Sequence, residues 1–549
     1  MAAPDPLAVA RAHEEGLSAE ERRAFGVWST PPAVVAHVLD QVLTPALADA
    51  SRSRPPTVLD PACGTGLFLV EAVRRLAAAT GWSRRRVAER LIAGVDVDPR
   101  AVAGARLSLW TDTGEAGHPP PGWPSGVRVG DALGVDWPGT YDVVVGNPPF
   151  LSPLADATAP TPAEAAARRA RFGPAVSAYT DAASVFLLLA IELADPDGGR
   201  VGLVLPQSVL SARDAAGVRA AALEHCVLET LWVAGERVFA ASVMTCAPTF
   251  RRGATRGPTV LRRFRDGVPT PLDDLVVDPD DLARRPTWSH LAAAGFGVPT
   301  LPGVLGAGDV LRSEAVTTAD FRDQYYGLTP HVVERPTLGR GAGRAVPLVT
   351  SGLIDPAHCS WGERPTRFRG RRWEQPAVDH DVLLADPQLG AWAAARLVPK
   401  VLVAAQTRVV EAVVDPTGAW LPSVPVLTVI TSPERWWHVA AALSSPLASA
   451  WAAGTYLGAA LSPGAIKLSA RQLGDLPLPP AGHPAWDDAA EAVRAAHGAR
   501  GAAARRAALI TAAGHMARAY DLAGTAVADE LQRWWEERLP GGAGLSSGG

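Results

Sequence analysis

The clearest pattern in the chain lies between about residues 30 and 250, where short apolar runs alternate with longer segments of helical periodicity. Compact apolar runs at 57–60, 92–96, 127–129, 141–145 and 201–205 read as buried strands. Between them, 68–79, 99–110 and 182–194 carry the apolar spacing of one helix face. Strands alternating with helices predict a parallel sheet, the α/β class. Ligands bind such sheets outside the carboxyl ends of the strands, so the residues just after each strand matter most. Beyond 250 the pattern changes. Residues 251–285, rich in Pro, Arg and Asp, read as a linker. Residues 286–480 read as mixed strands and loops with helices near the end, and 481–539 as Ala-rich helix. The expected organisation is a first domain over 1–265, a second over 286–480, and a C-terminal helical segment with a disordered tail over 481–549.

Length and composition narrow the class. A chain of 549 residues exceeds one ordinary core, and 48% hydrophobic with 20% charged residues suits a globular protein. The net charge of −4 argues against indiscriminate coating of nucleic acid, although local basic patches, not totals, set DNA affinity. Lys400 and Lys467 are the only lysines, so nearly all basic charge is arginine. Cys63, Cys226, Cys246 and Cys359 form no CxxC pair, which excludes a disulfide framework or zinc cluster and fits a cytoplasmic protein. The start, Met-Ala-Ala-Pro-Asp, lacks the pattern of a secretory signal. Residues 436–466 carry no Asp, Glu, Lys or Arg, but Pro446 and Pro463 break them, so buried helices are expected rather than a membrane span.

The first strand runs into Val58-Leu59-Asp60-Pro61-Ala62-Cys63-Gly64-Thr65-Gly66, where two glycines let the backbone approach a ligand. Generic glycine turns look similar. The second strand ends Gly94-Val95-Asp96-Val97-Asp98, placing a carboxylate where a ribose diol would donate. Asp131 follows the third strand and suits an adenine amino group. Each acid alone is more often a helix cap, as with Asp98. Three at successive strand ends make a nucleoside pocket. A dinucleotide enzyme would place GxGxxG directly after the first strand; the acid at the mouth of this loop suits instead a cofactor with a positively charged methionine end and no pyrophosphate.

The most informative segment is Tyr141-Asp142-Val143-Val144-Val145-Gly146-Asn147-Pro148-Pro149-Phe150. Asn-Pro is a turn signal by itself. Here it ends a strand of the same sheet. Two consecutive prolines fix the backbone and remove two amide donors, leaving carbonyls free to accept. The Asn147 side-chain oxygen and the Pro148 carbonyl can then accept both hydrogens of an adenine amino group, aiming its nitrogen lone pair at a methyl donor. Phe150 offers a stacking face for a base extruded from its helix.

In these segments the chain resembles the gamma group of DNA amino-methyltransferases, the adenine-specific type II and IIG enzymes. The upstream Gly26-Val27-Trp28-Ser29-Thr30-Pro31-Pro32 matches the family's Gly-x-x-x-Thr-Pro. The resemblance implies a class I, Rossmann-like methyltransferase domain followed by a mixed α+β target recognition domain. It implies S-adenosylmethionine as cofactor, with Thr30 and Pro31 at its methionine part, Asp60, Ala62, Cys63, Gly64 and Gly66 forming its loop, Asp96 on the ribose and Asp131 on the adenine. Phe239, in Gly235-Glu236-Arg237-Val238-Phe239, resembles the family's second base-contacting aromatic, though a core aromatic would look the same. Asn-Pro-Pro-Phe departs from the commoner Asn-Pro-Pro-Tyr but keeps the ring. Tyr326-Gly327-Leu328-Thr329 resembles the start of the recognition domain, with Pro330 where relatives often have Gly. Segments 347–352, 397–403, 466–469 and 476–479 match further on, so the resemblance spans about 20 to 480.

Double-stranded DNA is the implied partner, with a separately encoded restriction endonuclease as a second. Arg364, Arg367, Arg369, Arg371 and Arg372, beside Trp361 and Trp373, suit phosphates or guanine edges, or else a solvated loop. Arg251, Arg252, Arg256, Arg262, Arg263 and Arg265 suit backbone contact. The same Asn-Pro-Pro chemistry serves enzymes that methylate ribosomal RNA or a glutamine amide, and a decayed specificity subunit is the non-enzymatic alternative. No lysine follows an acid by two positions, so the commonest nuclease centre is not expected.

Overall fold

The computed structural model describes residues 30–49, 54–151, 158–236, 243–253, 257–302, 309–320, 322–335, 345–457 and 465–540, with residues 8, 9, 12, 15, 16, 18 and 238 besides. Two compact units divide the chain, Met1–Gly295 with Leu461–Pro463, and Phe296–Ala460 with Gly464–Gly549.

The first unit is built on one sheet. Its strands are β1 (Val58–Asp60), β2 (Ile92–Asp96), β3 (Val127–Val129), β4 (Val143–Gly146), β5 (Arg200–Leu203), β6 (Leu205–Pro206), β7 (Cys226–Val233), β8 (Thr245–Arg252), β9 (Thr259–Arg265) and β10 (Thr270–Val277). Their order is β10-β9-β7-β8-β5-β4-β1-β2-β3, with β6 beside β8. Strands β3, β2, β1, β4 and β5 are mutually parallel, whereas β8 is antiparallel to β5 and to β7. From β1 the chain winds outward to β2 and β3, then returns to β4 on the other side. The switch point therefore falls between β1 and β4, where a crevice opens at the carboxyl ends of the strands. Asp142, fully buried, fixes the two strand starts together: it accepts from Thr57 N (2.7 Å) and Thr57 Oγ1 (2.8 Å) and pairs with Arg54 (2.6 Å).

Local chemistry sets the helices. Helix α1 (Pro32–Ala48) opens on prolines and packs on β5, its valine and leucine face joining the core of Val58, Leu69, Val73, Val143 and Val145. Helix α2 (Leu67–Thr80) starts after Gly66 and stops at left-handed Gly81. After α3 (Arg84–Arg90), α4 (Pro99–Thr113) is capped by Asp98, whose Oδ1 accepts from Arg100 N (2.8 Å), so Asp98 takes the capping alternative. Helix α5 (Pro162–Phe172) has a Thr161–Glu164 capping box and buries none of its residues; α6 (Ala182–Leu193) is capped by Asp181 and nearly all buried.

Residues 251–285, expected as a linker, instead contain β9, β10 and a short helix Pro279–Arg284, and the first unit extends to Gly295. Charged residues hid the strand period. Along β9, Val260 and Arg262 are exposed while Leu261 and Arg263 are buried, and Arg263 Nε and Nη2 donate to Asp273 O (2.9 and 2.7 Å). Arg251 likewise pairs with Glu229 (2.9 Å), Arg252 donates to Ala194 O (2.7 Å) and Arg265 pairs with Asp266 (3.0 Å). Arg251, Arg252, Arg263 and Arg265 are thus held by partners within the first unit, whereas Arg262 is exposed and Arg256 lies outside the described residues.

Among the described residues the second unit contains two four-stranded sheets. One orders Val316–Ala319, Val426–Ile430, Lys400–Ala404 and Glu411–Asp415, all antiparallel; the other orders Val333–Glu334, Pro376–Asp379, Ala345–Val349 and Leu421–Pro422. Helices Pro484–Gly498, Ala502–Ala519 and Ala526–Glu536 belong to the same compact unit. Residues 436–466 supply buried helices Trp436–Leu443 and Pro446–Tyr456, split at Pro446. Among the described residues no helix is long and apolar enough to cross a membrane.

Candidate active site

The crevice at the switch point encloses about 440 Å³, within the range of small-molecule sites. Thr30, Asp60, Ala62, Cys63, Gly64, Asp96, Asp131, Asn147 and Pro149 all line it. The sheet explains the convergence: Asp60 ends β1, Asp96 ends β2, Asp131 follows β3 and Asn147 follows β4. Pro31 sits at the N-cap of α1 beside Thr30, and Gly66 underlies the loop rather than lining the space.

The loop after β1 turns through left-handed Gly64 (φ +52°) and Gly66 (φ +86°). A Cβ on Gly66 would lie 3.1 Å from the Ala105 Cβ of α4, so the glycine permits close packing as well as the turn. Gly64 N donates to Asp96 Oδ2 (2.9 Å), which ties this loop to the end of β2. Cys63 is buried, and desolvation holds its thiol pKa well above the usual value, so it is packing rather than a nucleophile.

Asp60 is 2% exposed and accepts from Ala62 N (3.0 Å). Burial, with the negative charge of Asp96 adding to it, pushes its pKa up to about 8 against that hydrogen bond. Among the described residues no cation pairs with it. Gly146 explains how the carboxyl reaches its position: a Cβ there would stand 2.4 Å from Asp60 Oδ1. The sequence contained that signal as a glycine closing a hydrophobic strand, which marks a close approach.

Asn147 Nδ2 donates to Thr30 Oγ1 (3.1 Å), joining the turn before α1 to the end of β4. Thr30 thus touches the Asn-Pro-Pro loop itself. Pro148 is buried and Phe150 is half-buried, leaning on the core cluster rather than lining the crevice. Phe239 lies outside the described residues.

The far wall was not anticipated. Glu164, Arg168, Arg171 and Phe172 of α5, with Phe186 of α6, line the same crevice as the three acids. Arg171 anchors α5, donating Nη1 to Leu133 O (2.9 Å) after β3 and Nε and Nη2 to the Glu192 carboxylate (3.0 and 2.8 Å) of α6.

Residues 15–262 match the family model described as N-6 DNA Methylase. The match lies wholly within the first unit and takes in the crevice with its Asp60, Asp96, Asp131 and Asn147. The adenine-specific methyltransferase PglX of Streptomyces coelicolor is 27% identical over a match covering 25% of this chain and 16% of that protein, so the chain spans only a small part of PglX. The type IIL restriction-modification enzyme MmeI, solved in complex with DNA, has a similar fold over 97% of this chain and 81% of its own (TM-score 0.60, 14% identity). A DrdV–DNA complex has a similar fold over 90% of this chain and 59% of its own (TM-score 0.56, 12% identity).

Proposed function

We propose that this chain is a site-specific DNA methyltransferase that transfers a methyl group from S-adenosylmethionine to the N6 amino group of an adenine extruded from double-stranded DNA. One observation carries the reading: Asn147-Pro148-Pro149 closes β4 directly across the switch point from buried Asp60, with Thr30 holding the Asn147 amide.

The residues present fit that cofactor. A buried carboxyl with no cation beside it suits a positively charged ligand, and Asp96 and Asp131 suit a ribose diol and an adenine amino group. S-adenosylmethionine supplies an electrophilic methyl group on a sulfonium centre. Asp60 holds the positive end, Thr30 and Pro31 border the methionine part, and Ala62, Cys63, Gly64 and Gly66 give close backbone approach. On the acceptor side, the Asn147 side-chain oxygen and the Pro148 carbonyl take the two amino hydrogens. This draws the nitrogen towards tetrahedral geometry and directs its lone pair, a positioning effect without a general base. Pro149 locks that backbone. Phe150 and Phe239 are the proposed aromatic faces for the extruded base.

The second unit, which begins at Phe296, is proposed as the target recognition domain, in place of the 286–480 span expected from the sequence. The wider role is modification within a restriction-modification or phage-defence system, alongside a separately encoded endonuclease. MmeI and DrdV, which resemble the chain across both units and were solved with DNA, support this reading.

The test offers the full chain labelled S-adenosylmethionine with duplex DNA, ribosomal RNA and protein acceptors in parallel. Label is expected in N6-methyladenine of the duplex. Asn147→Ala should lower the rate at least about 100-fold while cofactor affinity stays within about twofold. Label in RNA or protein alone, or an active Asn147→Ala enzyme, overturns the assignment.

A further inference from the structure

Five arginines fall within residues 364–372, and the structure separates their roles. Arg364 is internal scaffolding, donating to Gly352 O (2.9 Å) and pairing with Asp355 (3.0 Å). The other four lie on a hairpin of Thr366–Phe368 and Arg371–Trp373, in which Phe368 faces Arg371 and Arg367 faces Arg372. Its two-residue loop, Arg369 (φ +54°) and Gly370 (φ +73°), has the paired left-handed residues of a type I′ turn. Asn-Gly would make that turn with less strain, so an arginine at its first position is not what folding selects.

Nor does folding select the next pair. Arg367 and Arg372 stand directly opposite on the exposed face, and like charges so placed repel. The hairpin tolerates both features because its inner face is firmly anchored. Thr366, Phe368 and Trp373 are buried, Trp373 Nε1 donates to Phe368 O (3.2 Å), and Glu334 accepts from Glu374 N (2.9 Å) and Gln375 N (2.8 Å). The exposed guanidinium groups are also oriented. Arg371 lies over the Trp373 ring (4.3 Å) and Arg369 over half-exposed Tyr326 (4.3 Å), while Arg369 N donates to Tyr325 Oη (3.3 Å).

We propose that this hairpin is a base-reading ribbon that enters the DNA major groove, with Arg369 and Arg371 addressing guanine edges and Arg367 and Arg372 meeting phosphates. The inference rests on the DNA reading above. The major groove admits a two-stranded ribbon, and a guanidinium held over a ring has fewer orientations open to it, which favours presenting its two-donor fork to guanine O6 and N7. Glu374, itself exposed, pairs with Arg372 (3.3 Å) and offsets only one of the two facing charges, so a polyanion supplies the remaining counter-charge.

The experiment sequences the methylated sites left in DNA by the full chain and its variants. Arg369→Asn creates the favoured turn pair, so folding is maintained while the fork is lost; Arg371→Lys keeps the charge and loses the fork. Both should relax discrimination at a G·C pair of the site by roughly tenfold or more, with cofactor affinity unchanged. The Arg367→Ala/Arg372→Ala double variant should weaken all duplexes alike, flatten the salt dependence by a slope of about 0.9 per lost phosphate contact, and leave the site unchanged. If Arg369→Asn and Arg371→Lys both methylate the wild-type site with wild-type stringency, the ribbon assignment is overturned. A wild-type chain that methylates no DNA would instead sink the parent reading.

Discussion

At the scale of single residues, Asp60 is the group whose chemistry is most altered by its surroundings. Its pKa of about 8 means that the cofactor-free carboxyl is largely protonated at neutral pH. The sign of the consequence follows directly. A carboxyl raised above its ordinary value of 3.8 adds stability below that value and loses it as pH rises towards 8. Cofactor-free protein should therefore melt lower at pH 8 than at pH 6. Binding of a cationic cofactor favours the carboxylate and expels the proton. Affinity for S-adenosylmethionine should then climb between pH 6 and 8, by up to about tenfold per unit, and level off above. Calorimetry in buffers of different ionisation enthalpy would detect the released proton, and Asp60→Asn should bind weakly with no such slope. A wild-type affinity flat across this window, with no proton released, would remove Asp60 from the cation site. Gly146 belongs to the same arrangement, since any side chain there would displace the Asp60 carboxyl.

At the scale of elements, the site has a rigid half and an attached half. The acids and the Asn-Pro-Pro loop sit on parallel strands of the central sheet, whereas α5 buries nothing and is held largely through Arg171. Arg171→Ala should raise the KM for S-adenosylmethionine about three- to tenfold, leave kcat within about twofold, and lower the melting temperature by only a few degrees. An unchanged KM would mean that α5 plays no part in holding the cofactor. This division also explains what the sequence revealed. Strands β2 and β3 were legible to the residue, because compact apolar runs flanked by glycines and acids have few other readings. Their position in turn made Asp60, Asp96, Asp131 and Asn147 legible as strand-end groups. Helix α5 was not, for an Ala- and Arg-rich helix without a buried stripe has no periodicity to detect. Strands β9 and β10 were missed because buried Arg263 and exposed charges masked alternation at a sheet edge. The Thr30–Asn147 bond joins residues distant in sequence, and only packing discloses it.

At the scale of the whole molecule, 52 basic residues stand against 56 acidic ones, so the proposed DNA binding has to rest on local arginine arrays rather than on overall attraction. The same count bears on cleavage. The commonest metal-dependent nuclease centre requires a lysine two positions after an acid, and only Lys400 and Lys467 exist. Lys400 is completely buried and pairs with Asp415 (2.7 Å), which also accepts from Ala419 N (3.1 Å) and Trp420 N (3.0 Å). Removing either partner would strand a buried charge, so the pair is structural and inaccessible to a phosphodiester. Lys467 is exposed but follows Ala465-Ile466. Supercoiled plasmid incubated with the full chain, S-adenosylmethionine and Mg²⁺ or Mn²⁺ should therefore become methylated and stay uncut. Cleavage that co-elutes with the methyltransferase at constant specific activity would refute this. If the plasmid stays intact, cleavage is not an activity of these 549 residues, as the burial of Lys400 and the setting of Lys467 lead one to expect.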